Sequence, residues 1–458
     1  MVIASHWPIR NLILTHAFAE LQTDFEILAW VPETIIAEVA SLADDLGIHD
    51  IGWMPLRVRQ RNRLHTFAYR VQKSLLLERH QVATEKLLQL RTGRRTRLQR
   101  VGIALGGSVA CAGLFAPSFR MASALRRWST PVGVYAEDFD RYRPDTVLST
   151  DAISPNEDAV YFEAKRRSVP IVSMVGSWDN VAKGPIHGGY DRIFVWNQVM
   201  LESIRQMYPA YRDGRLTIIG IPRFDVYREP LPPAFRREAF LGGLGLDPAG
   251  RVLLHATNGG AANFPTEREI VRHVVEALEA GKLPGDCQLL VRPHPHEDPA
   301  NYRQFAGLPR VAVSWPKGDY RSGKNGQSVP DKDSLWDLAA CLKHSCVCIN
   351  AASTIALDAA ACDIPIVSVA YDGDQVKPYY DSILSAYEFT HQIPFLQYGA
   401  TVLCRSRGAL IAAINEAIAD SRLRQENRLA VARDFLNCHE SSVQRLRIAL
   451  AELAAQRR

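Results

Sequence analysis

Short apolar runs alternate with amphipathic segments along almost the whole chain. In the first half, the runs "MVIAS", "FEILAWV", "DTVLST", "VPIVSMV", "DRIFVWN" and "LTIIGI" are separated by stretches that are long enough for a helix. Buried parallel strands are continuous apolar runs, and the connection between two such strands is usually a helix. The pattern therefore predicts an α/β fold, in which helices cover a parallel sheet.

The alternation stops in a Pro- and Gly-rich stretch, residues 227–251, and then starts again. Beyond it, "RVLLHAT", "CQLLVRP", "RVAVSW", "CVCIN" and "IPIVSV" are again separated by helix-length segments, and residues 406–457 have helical periodicity. We therefore predict two Rossmann-like domains that face each other across a cleft, over residues 1–225 and 226–425. The C-terminal helices, over 426–458, can cross back and pack on the first domain.

Composition narrows the class of protein. A chain of 458 residues is too long for one hydrophobic core, and 47% hydrophobic with 22% charged residues is typical of a soluble globular protein. The net charge of +5 is too small for a dedicated nucleic-acid binder and suits an anionic small ligand. The eight cysteines form no Cys-x-x-Cys pair and no signal peptide is recognisable, which predicts a cytoplasmic protein without disulfides or zinc.

Arginine is concentrated in residues 57–100, in "LRVRQRNRLHTFAYR" and "RTGRRTRLQR". A solvated helical face explains such a pattern as well as a peripheral contact with anionic membrane or with a phosphorylated acceptor does. The neighbouring apolar run over 102–117 is too short to span a bilayer.

One stretch of the second domain, "INAASTIALDAAACDIPIV", predicts an anion site. A strand runs into small residues and then into a helix near Ser353, so backbone N–H groups and the hydroxyls of Ser353 and Thr354 meet at the carboxyl edge of a sheet. Asp358 lies one helical turn after Thr354, where a carboxylate can accept from the two hydroxyls of a ribose. The alternative is that Ser353 caps the helix and Asp358 faces water.

Two other strand exits of the second domain carry polar residues. In "VRPHPHEDP", prolines on both sides of His294 end the strand, so that Arg292 and His294 offer a fixed cation and a titratable imidazole to a phosphate. In "HATNGGAANFP", the residues Asn258, Gly259 and Gly260 expose backbone that suits a phosphate or sugar.

In the first domain, the densest polar cluster is "GSWDNVAKGPIHGGYDRIFVWN". There Asp179 is a candidate general base for an acceptor hydroxyl or the cap of a turn, with Asn180 beside it. Lys183 either holds a phosphate or pairs with Asp179. Arg223, in "GIPRFD", and Arg10, at the start of the first helix, either reach the cleft or have structural and surface roles.

Six motifs in this order resemble a GT-B glycosyltransferase: "SHWPIRN", "SWDNVAKG", "FVWN", "GIPRFD", "RPHP" and "INAASTIALDAAACDIPIV". The chain is most similar to bacterial surface-polysaccharide transferases, as in capsule or lipopolysaccharide biosynthesis, that are distantly related to the CDP-glycerol glycerophosphotransferases. The resemblance implies that Ser353 and Thr354 contact a nucleotide diphosphate, that Asp358 contacts the ribose, and that His294 assists the leaving group.

The sequence departs from the polyol-phosphate transferases at one point. Their Asp-Tyr-Ser-Ser run is replaced here by Ala351 and Ala352 followed by Ser353 and Thr354. This difference favours a sugar donor over CDP-glycerol.

The expected function is therefore transfer of a sugar from a nucleotide-diphosphate sugar to a surface glycan or lipid-linked acceptor. Enzymes of this fold usually need no metal, and the only "DKD" run, residues 331–333, lies in a Gly/Ser-rich loop. The alternatives are polyol-phosphate transfer, 2-epimerisation of UDP-GlcNAc, and non-catalytic glycan binding.

Overall fold

Most of the chain is described by a computed structural model, over residues 1–57, 62–90, 114–212, 214–259, 264–295, 297–316 and 329–455. Contacts divide the chain into two compact units. Unit 1 comprises Met1–Pro222, Asn325–Val329 and Ser441–Arg458, and unit 2 comprises Arg223–Lys324 and Pro330–Glu440.

The helices are numbered in chain order. Those of unit 1 are α1 His6–Pro8, α2 Ala17–Gln22, α3 Ile36–Asp45, α4 Arg63–Arg79, α5 Ala83–Leu90, α6 Phe115–Ser129, α7 Ala136–Tyr142, α8 Asp158–Arg166, α9 Gln198–Met207 and the C-terminal α17 Ser442–Ala455. Those of unit 2 are α10 Arg237–Gly243, α11 Glu267–Glu279, α12 Ser334–Lys343, α13 Ile355–Ala361, α14 Gln392–Gln397, α15 Arg407–Ala419 and α16 Gln425–Ala430. None of the described helices is long and apolar enough to cross a membrane.

The strands of unit 1 pair in parallel. They are β1 Ile27–Pro32, β2 Ile51–Leu56, β3 Val147–Ser149, β4 Ile171–Met174, β5 Arg192–Val195 and β6 Leu216–Ile218. β1 pairs with β2, and β3 to β6 pair in sequence order. Val2 joins the two groups, because it forms single parallel bridges to Trp30 and Ser149.

Unit 2 contains a six-stranded parallel sheet in the order β12-β11-β10-β7-β8-β9. Its strands are β7 Arg251–Ala256, β8 Cys287–Arg292, β9 Val311–Val313, β10 Ser345–Asn350, β11 Ile366–Val369 and β12 Thr401–Cys404. Every residue of β8 is buried, as are all but the first of β7. Leu253, Leu289, Val347 and Val367 bring four strands into one apolar core with the covering helices, which is why these strands appear in the sequence as unbroken apolar runs.

The predicted α/β class is confirmed, and the observed strands differ from the predicted ones at three places. "MVIAS" contributes only the Val2 bridges instead of a full strand, whereas β2 and β12 were not predicted at all. Both are edge strands; β2 contains Gly52 and Pro55, and Pro is tolerated in a sheet mainly at its edge. β12 is only four residues long.

The C-terminal helix α17 packs within unit 1. Arg445 Nε donates to the carbonyl of Ile219 at 3.0 Å, and Arg447 pairs with Asp24 at 2.8 Å and with Glu20 at 2.9 Å. α15 and α16 lie in unit 2. Of the last three helices, α15 and α16 therefore belong to unit 2 and α17 belongs to unit 1.

Candidate functional site at the sheet edge of unit 2

The strand order of unit 2 reverses between β7 and β10. The chain adds β8 and β9 on one side of β7, and it later adds β10, β11 and β12 on the other side. Ligands of open parallel sheets bind outside the carboxyl ends of the strands at such a reversal. In unit 2 that position is bordered by the residues that follow Ala256 and Asn350.

Hydrogen bonds join three strand exits at this position. The amide of Asn258, after β7, donates from Nδ2 to the carbonyl of Ala351, after β10, at 2.5 Å. The backbone N–H of His294, after β8, donates to Thr257 Oγ1 at 2.8 Å. We call residues 257–259, 293–295 and 351–354 the switch-point edge. It brings together five predicted site residues, whose roles in binding stay predictions: His294, Asn258, Gly259, Ser353 and Thr354.

The turn after β10 is held in an unusual conformation. Ala352 has φ of 47°, in the left-handed region that non-glycine residues rarely adopt. Its N–H donates to Tyr387 Oη at 3.1 Å, and its carbonyl accepts from Gln392 Nε2 at 2.9 Å. Because strain of this kind persists only where surrounding contacts enforce it, the turn is a preorganised part of the edge.

Ser353 and Thr354 are half-buried and enter α13 from this turn. Thr354 is the N-cap residue, and its side chain makes no capping hydrogen bond. The capping alternative for Ser353 stays a prediction, whereas Asp358 is buried and does not face water. α13 is only seven residues long, so its dipole is small, and the hydroxyls of Ser353 and Thr354 are the groups of the turn that can donate to an anion.

A buried polar pair lies beneath the edge. Glu267, at the start of α11, accepts from the backbone N–H of Asn258 at 2.7 Å, and its other oxygen lies 3.6 Å from His255 Nε2. Both side chains are at most 1% exposed. Burial raises the pKa of the Glu267 carboxyl. Glu267 was not predicted as a site residue, although an acid at the first turn of a helix after a polar loop is a recognisable signal.

The guanidinium of Arg292 is paired within unit 2 and does not fit the predicted diphosphate contact, whereas its backbone carbonyl accepts from the N–H of Thr257 in the edge at 3.0 Å. Its side chain is buried, with Nη1 paired with the Asp337 carboxylate and 3.1 Å from Ser314 Oγ. As the last residue of a fully buried strand, Arg292 points into the packing between β8 and α12. It is a structural residue in this fold and not the predicted diphosphate ligand.

The prediction for Asp358 is also wrong, and for Arg223 the structural alternative is the one observed. Asp358 is 2% exposed; its Oδ1 lies 3.2 Å from Arg223 Nη1 and accepts from Tyr227 Oη at 2.7 Å. Burial and the Asp358 charge raise the pKa of Tyr227 well above its usual value, which keeps the hydroxyl a donor. α13 lies against the sheet, so its inner face is buried, and Asp358 has a structural ion pair instead of the predicted ribose contact.

One cation that was not predicted as a site residue follows β11. The loop after that strand carries Lys377, whose Nζ donates to Thr266 Oγ1 at 3.3 Å at the start of α11. A lysine in a polar loop after a buried strand was the available signal in "YDGDQVKPYY". Gly259 has φ of 80°, in the region that favours glycine, while the predicted Gly260 lies outside the described residues.

In unit 1, the predicted polar cluster forms a compact loop. Lys183 Nζ pairs with the Asp179 carboxylate, and Asn180 Oδ1 accepts from the backbone N–H of Ser177. The pairing alternative for Lys183 is thus the one observed. Arg10 lies half-buried in the π-helix Ile9–Ile13, and its neighbour Asn11 donates from Nδ2 to the carbonyl of Gly176 at 3.3 Å.

Two carboxyl groups beyond β3 were missed by the sequence analysis. Burial raises the pKa of Asp151 to about 6, and the Asp179 charge adds to this shift. Glu157 is 2% exposed, and burial together with the Asp151 charge raises its pKa well above the usual value. The segment "STDAISPNED" follows an apolar run, which is the signal that could have identified both residues.

A cavity of about 490 Å³ in unit 1 lies away from the carboxyl ends of its strands. It is lined by Ile27 at the start of β1, Thr146 before β3 and Leu450 of α17. These are the amino ends of the strands, opposite to the edge at which open α/β sheets bind ligands. Within the described ranges, no group of three or more His, Cys, Asp or Glu residues has the arrangement of a metal site.

Solved structures similar to this chain cover nearly its whole length. A UDP-GlcNAc 2-epimerase from Neisseria meningitidis, solved with UDP-GlcNAc, matches with a TM-score of 0.54 and 11% identity over 98% of both chains. A Listeria monocytogenes protein assigned as a UDP-N-acetylglucosamine 2-epimerase matches with a TM-score of 0.56 and 12% identity, over 99% of this chain and 96% of that one. The chain has the GT-B fold.

The GT-B fold accounts for the two parallel-sheet units but does not identify a family. The chain matches no protein-family model and no curated protein. The glycosyltransferase WaaG, involved in lipopolysaccharide biosynthesis, and the wall teichoic acid polymerase TagF match with TM-scores of only 0.43 and 0.40. These scores are too low for an argument, so the relation to CDP-glycerol glycerophosphotransferases stays a prediction.

Proposed function

We propose that this GT-B protein is an enzyme that transfers a sugar from a nucleotide-diphosphate sugar to a surface glycan or lipid-linked acceptor. The proposal rests on one observation, the switch-point edge of unit 2. There, exits of three adjacent parallel strands are hydrogen-bonded to one another at the reversal of strand order. Such an edge is where nucleotide phosphates bind in open α/β sheets.

The donor's diphosphate would lie against Ser353 and Thr354. The Thr354 side chain makes no capping hydrogen bond, so its hydroxyl can donate to a phosphate oxygen, and Ser353 carries a second hydroxyl beside it. Asn258 and Gly259 supply further polar and open backbone groups from the loop after β7. Lys377 replaces Arg292 as the proposed cation, because Arg292 is occupied by Asp337.

His294 is the proposed group that assists departure of the diphosphate. Its backbone is fixed by Thr257, its side chain is half-buried, and the prolines on both sides restrict the loop. In unit 1, Asp179 is the proposed base for the acceptor hydroxyl, with Asn180 and Lys183 around it.

The proposed reaction requires no metal. N–H groups, hydroxyls and the Lys377 charge stabilise the developing negative charge on the leaving diphosphate. We expect turnover to continue in excess EDTA and to gain less than twofold from added Mg²⁺ or Mn²⁺. A rate that disappears with EDTA and returns with Mg²⁺ would contradict this part of the proposal.

Nucleotide binding is the direct test. Thermal melts of the full chain with UDP, GDP, CDP and dTDP should identify one nucleotide that stabilises it, by about 2.7 kcal/mol at 100 times Kd. Thr354→Val should weaken that binding about tenfold, since a buried phosphate oxygen loses a donor, whereas Thr23→Val, at an exposed site in unit 1, should not. If none of the four nucleotides shifts the melting temperature, the site assignment is wrong.

Donor assays then separate the transferases. With an acceptor present, release of nucleotide from a panel of nucleotide sugars supports sugar transfer, whereas release of CMP from CDP-glycerol supports the polyol-phosphate alternative. A protein that binds a nucleotide but turns over neither donor class would be the non-catalytic relative.

Epimerisation of the donor is the second candidate, and the carboxyl groups of Asp151 and Glu157 favour it. Inverting a sugar carbon requires a proton to be removed and returned, and a carboxyl group with a pKa near 6 suits both steps near neutral pH. Incubation of UDP-GlcNAc without acceptor in D₂O should then give the epimer with deuterium at C2. Unchanged UDP-GlcNAc after prolonged incubation would exclude this candidate.

A further inference from the structure

Helices α4 and α6 of unit 1 form an antiparallel pair. At one end, Asn62 Nδ2 donates to the carbonyl of Ser129 at 2.9 Å; in the middle, Gln72 Nε2 donates to Ser123 Oγ at 2.6 Å. At the other end, the rings of His80 and Phe115 lie 6.3 Å apart. The start of α4 and the end of α6 are therefore neighbours.

Large apolar side chains are exposed on this helix pair and next to it. Phe67 is 59% exposed on α4, and Trp128 is 76% exposed on α6. Met121 and Val132, on and just after α6, are 70% and 78% exposed. Single exposed apolar residues need no explanation, but several on two adjacent elements indicate an interaction surface.

Arginines surround these apolar residues. Arg63 and Arg70 lie one turn before and one turn after Phe67, and Arg120 and Arg127 lie two turns apart on α6 beside Trp128. All four arginines are exposed. Among the residues of α4 and α6, Glu78 is the only acid. We call Arg63, Phe67, Arg70, Arg120, Arg127 and Trp128 the basic–aromatic face.

The opposite side of the helix pair is firmly attached to unit 1. Arg126 binds the buried Asp158 carboxylate through Nε and Nη2, at 2.6 and 2.5 Å, and His65 Nε2 lies 2.8 Å from the same carboxylate. Burial of this network leaves the basic–aromatic face pointing away from the core. The exposed residues are therefore presented on a fixed support and are not part of a loosely packed element.

We propose that the basic–aromatic face docks on the surface of a bilayer that contains anionic phospholipid. Clustered arginines without acids are attracted to the negative surface of such a bilayer. Trp and Phe prefer the boundary between headgroups and acyl chains, and a lipid surface covers them without needing a complementary shape. The contact is peripheral and does not depend on the proposed sugar transfer.

Vesicle co-sedimentation of the full chain tests this proposal without any sugar donor. The protein should bind vesicles of phosphatidylcholine with 30 mol% phosphatidylglycerol, and it should bind pure phosphatidylcholine far more weakly. Each arginine removed should reduce the partition coefficient about fivefold. Three variants are compared with the wild type: R63Q/R70Q/R120Q/R127Q, F67S/W128S, and the matched control R236Q/R268Q/R303Q/R422Q, which removes four exposed arginines of unit 2.

We expect the quadruple variant of the face to lose at least 50-fold in partitioning and F67S/W128S about tenfold. The control should stay within a few-fold of wild type. All substituted residues are exposed, so melting temperatures should be unchanged and confirm that each variant folds. Raising the salt from about 50 to 500 mM should weaken wild-type binding strongly, since the Debye length falls about threefold.

Several results would overturn the proposal. One is a wild-type protein that does not bind the anionic vesicles. Another is a control variant of unit 2 that loses as much partitioning as the quadruple variant of the face. A dimer in light scattering that F67S/W128S converts to a monomer would show that a second copy of this chain covers the face. Tight binding of single-stranded RNA that the quadruple variant loses, without vesicle binding, would assign the face to nucleic acid.

Discussion

Replacing Asp358 by Asn tests whether this residue stabilises the fold or contacts a ribose, as the sequence suggested. The carboxylate and the Arg223 guanidinium are 3% and 4% exposed, and the amide of D358N would keep an acceptor for Tyr227 while removing the charge that balances Arg223. Breaking one partner of a buried ion pair costs about 3–5 kcal/mol. For a unit of about 200 residues this corresponds to a fall in melting temperature of about 6–20 °C.

The assay is thermal unfolding combined with titration of whichever nucleotide stabilises the wild type. We expect D358N to melt early and, below its melting temperature, to bind that nucleotide within twofold of wild type. Asp286→Asn is the control, because its pair with Arg251 is about half exposed and should contribute less than about 1 kcal/mol.

A double-mutant cycle makes the argument sharper. R223L/D358L replaces both charges by apolar groups, and such replacements are often nearly neutral. The double variant should therefore be destabilised by less than the sum of the two single variants. A D358N protein with the wild-type melting temperature and a tenfold weaker affinity for the nucleotide would refute this reasoning and restore the ribose contact.

Three other substitutions have defined outcomes. Asp151→Asn should stabilise unit 1 by about 2 kcal/mol at pH 8 and not at pH 4. Folding raises the pKa of Asp151 from 3.8 to about 6, so the wild type loses stability as the pH rises through that window and the Asn variant does not. Urea melts at both pH values measure this difference, and an equal gain at pH 4 would contradict it. Ala352→Gly should stabilise unit 2 by about 1 kcal/mol, because glycine adopts a positive φ without the steric cost of a Cβ, whereas Ala352→Val should destabilise it. Thermal melts measure both changes, and stabilisation by Val would contradict the strained turn. Glu267→Ala should lower the stability of unit 2 by about 1–3 kcal/mol and weaken nucleotide binding, because the loop at Asn258 loses its acceptor. Glu267→Gln keeps an acceptor and should retain most of the stability and most of the nucleotide affinity. Equal losses in the two variants would argue against this positioning role.

The residues at strand exits show how far the sequence alone could go. "CQLLVRPHP" and "CVCINAAST" predict strands because both are unbroken apolar runs ended by Pro or small polar residues. Parallel strands have their carboxyl ends at one edge, so His294 and Thr354 could be expected at the same edge from the pattern alone. The direct bonds of Asn258 and His294 to neighbouring exits agree with that expectation.

Sequence determined the fold class because apolar periodicity reflects burial, and burial is what distinguishes a parallel strand from its covering helix. It could not determine which polar side chains face a ligand, since Arg292, Arg223 and Asp358 carry charges that suit either a phosphate or a buried partner. Only the tertiary structure brings Asp337 to Arg292 and Arg223 to Asp358. A charge at the end of a strand or on a helix is directed by whichever opposite charge packing places within reach, and that depends on contacts between residues far apart in the chain.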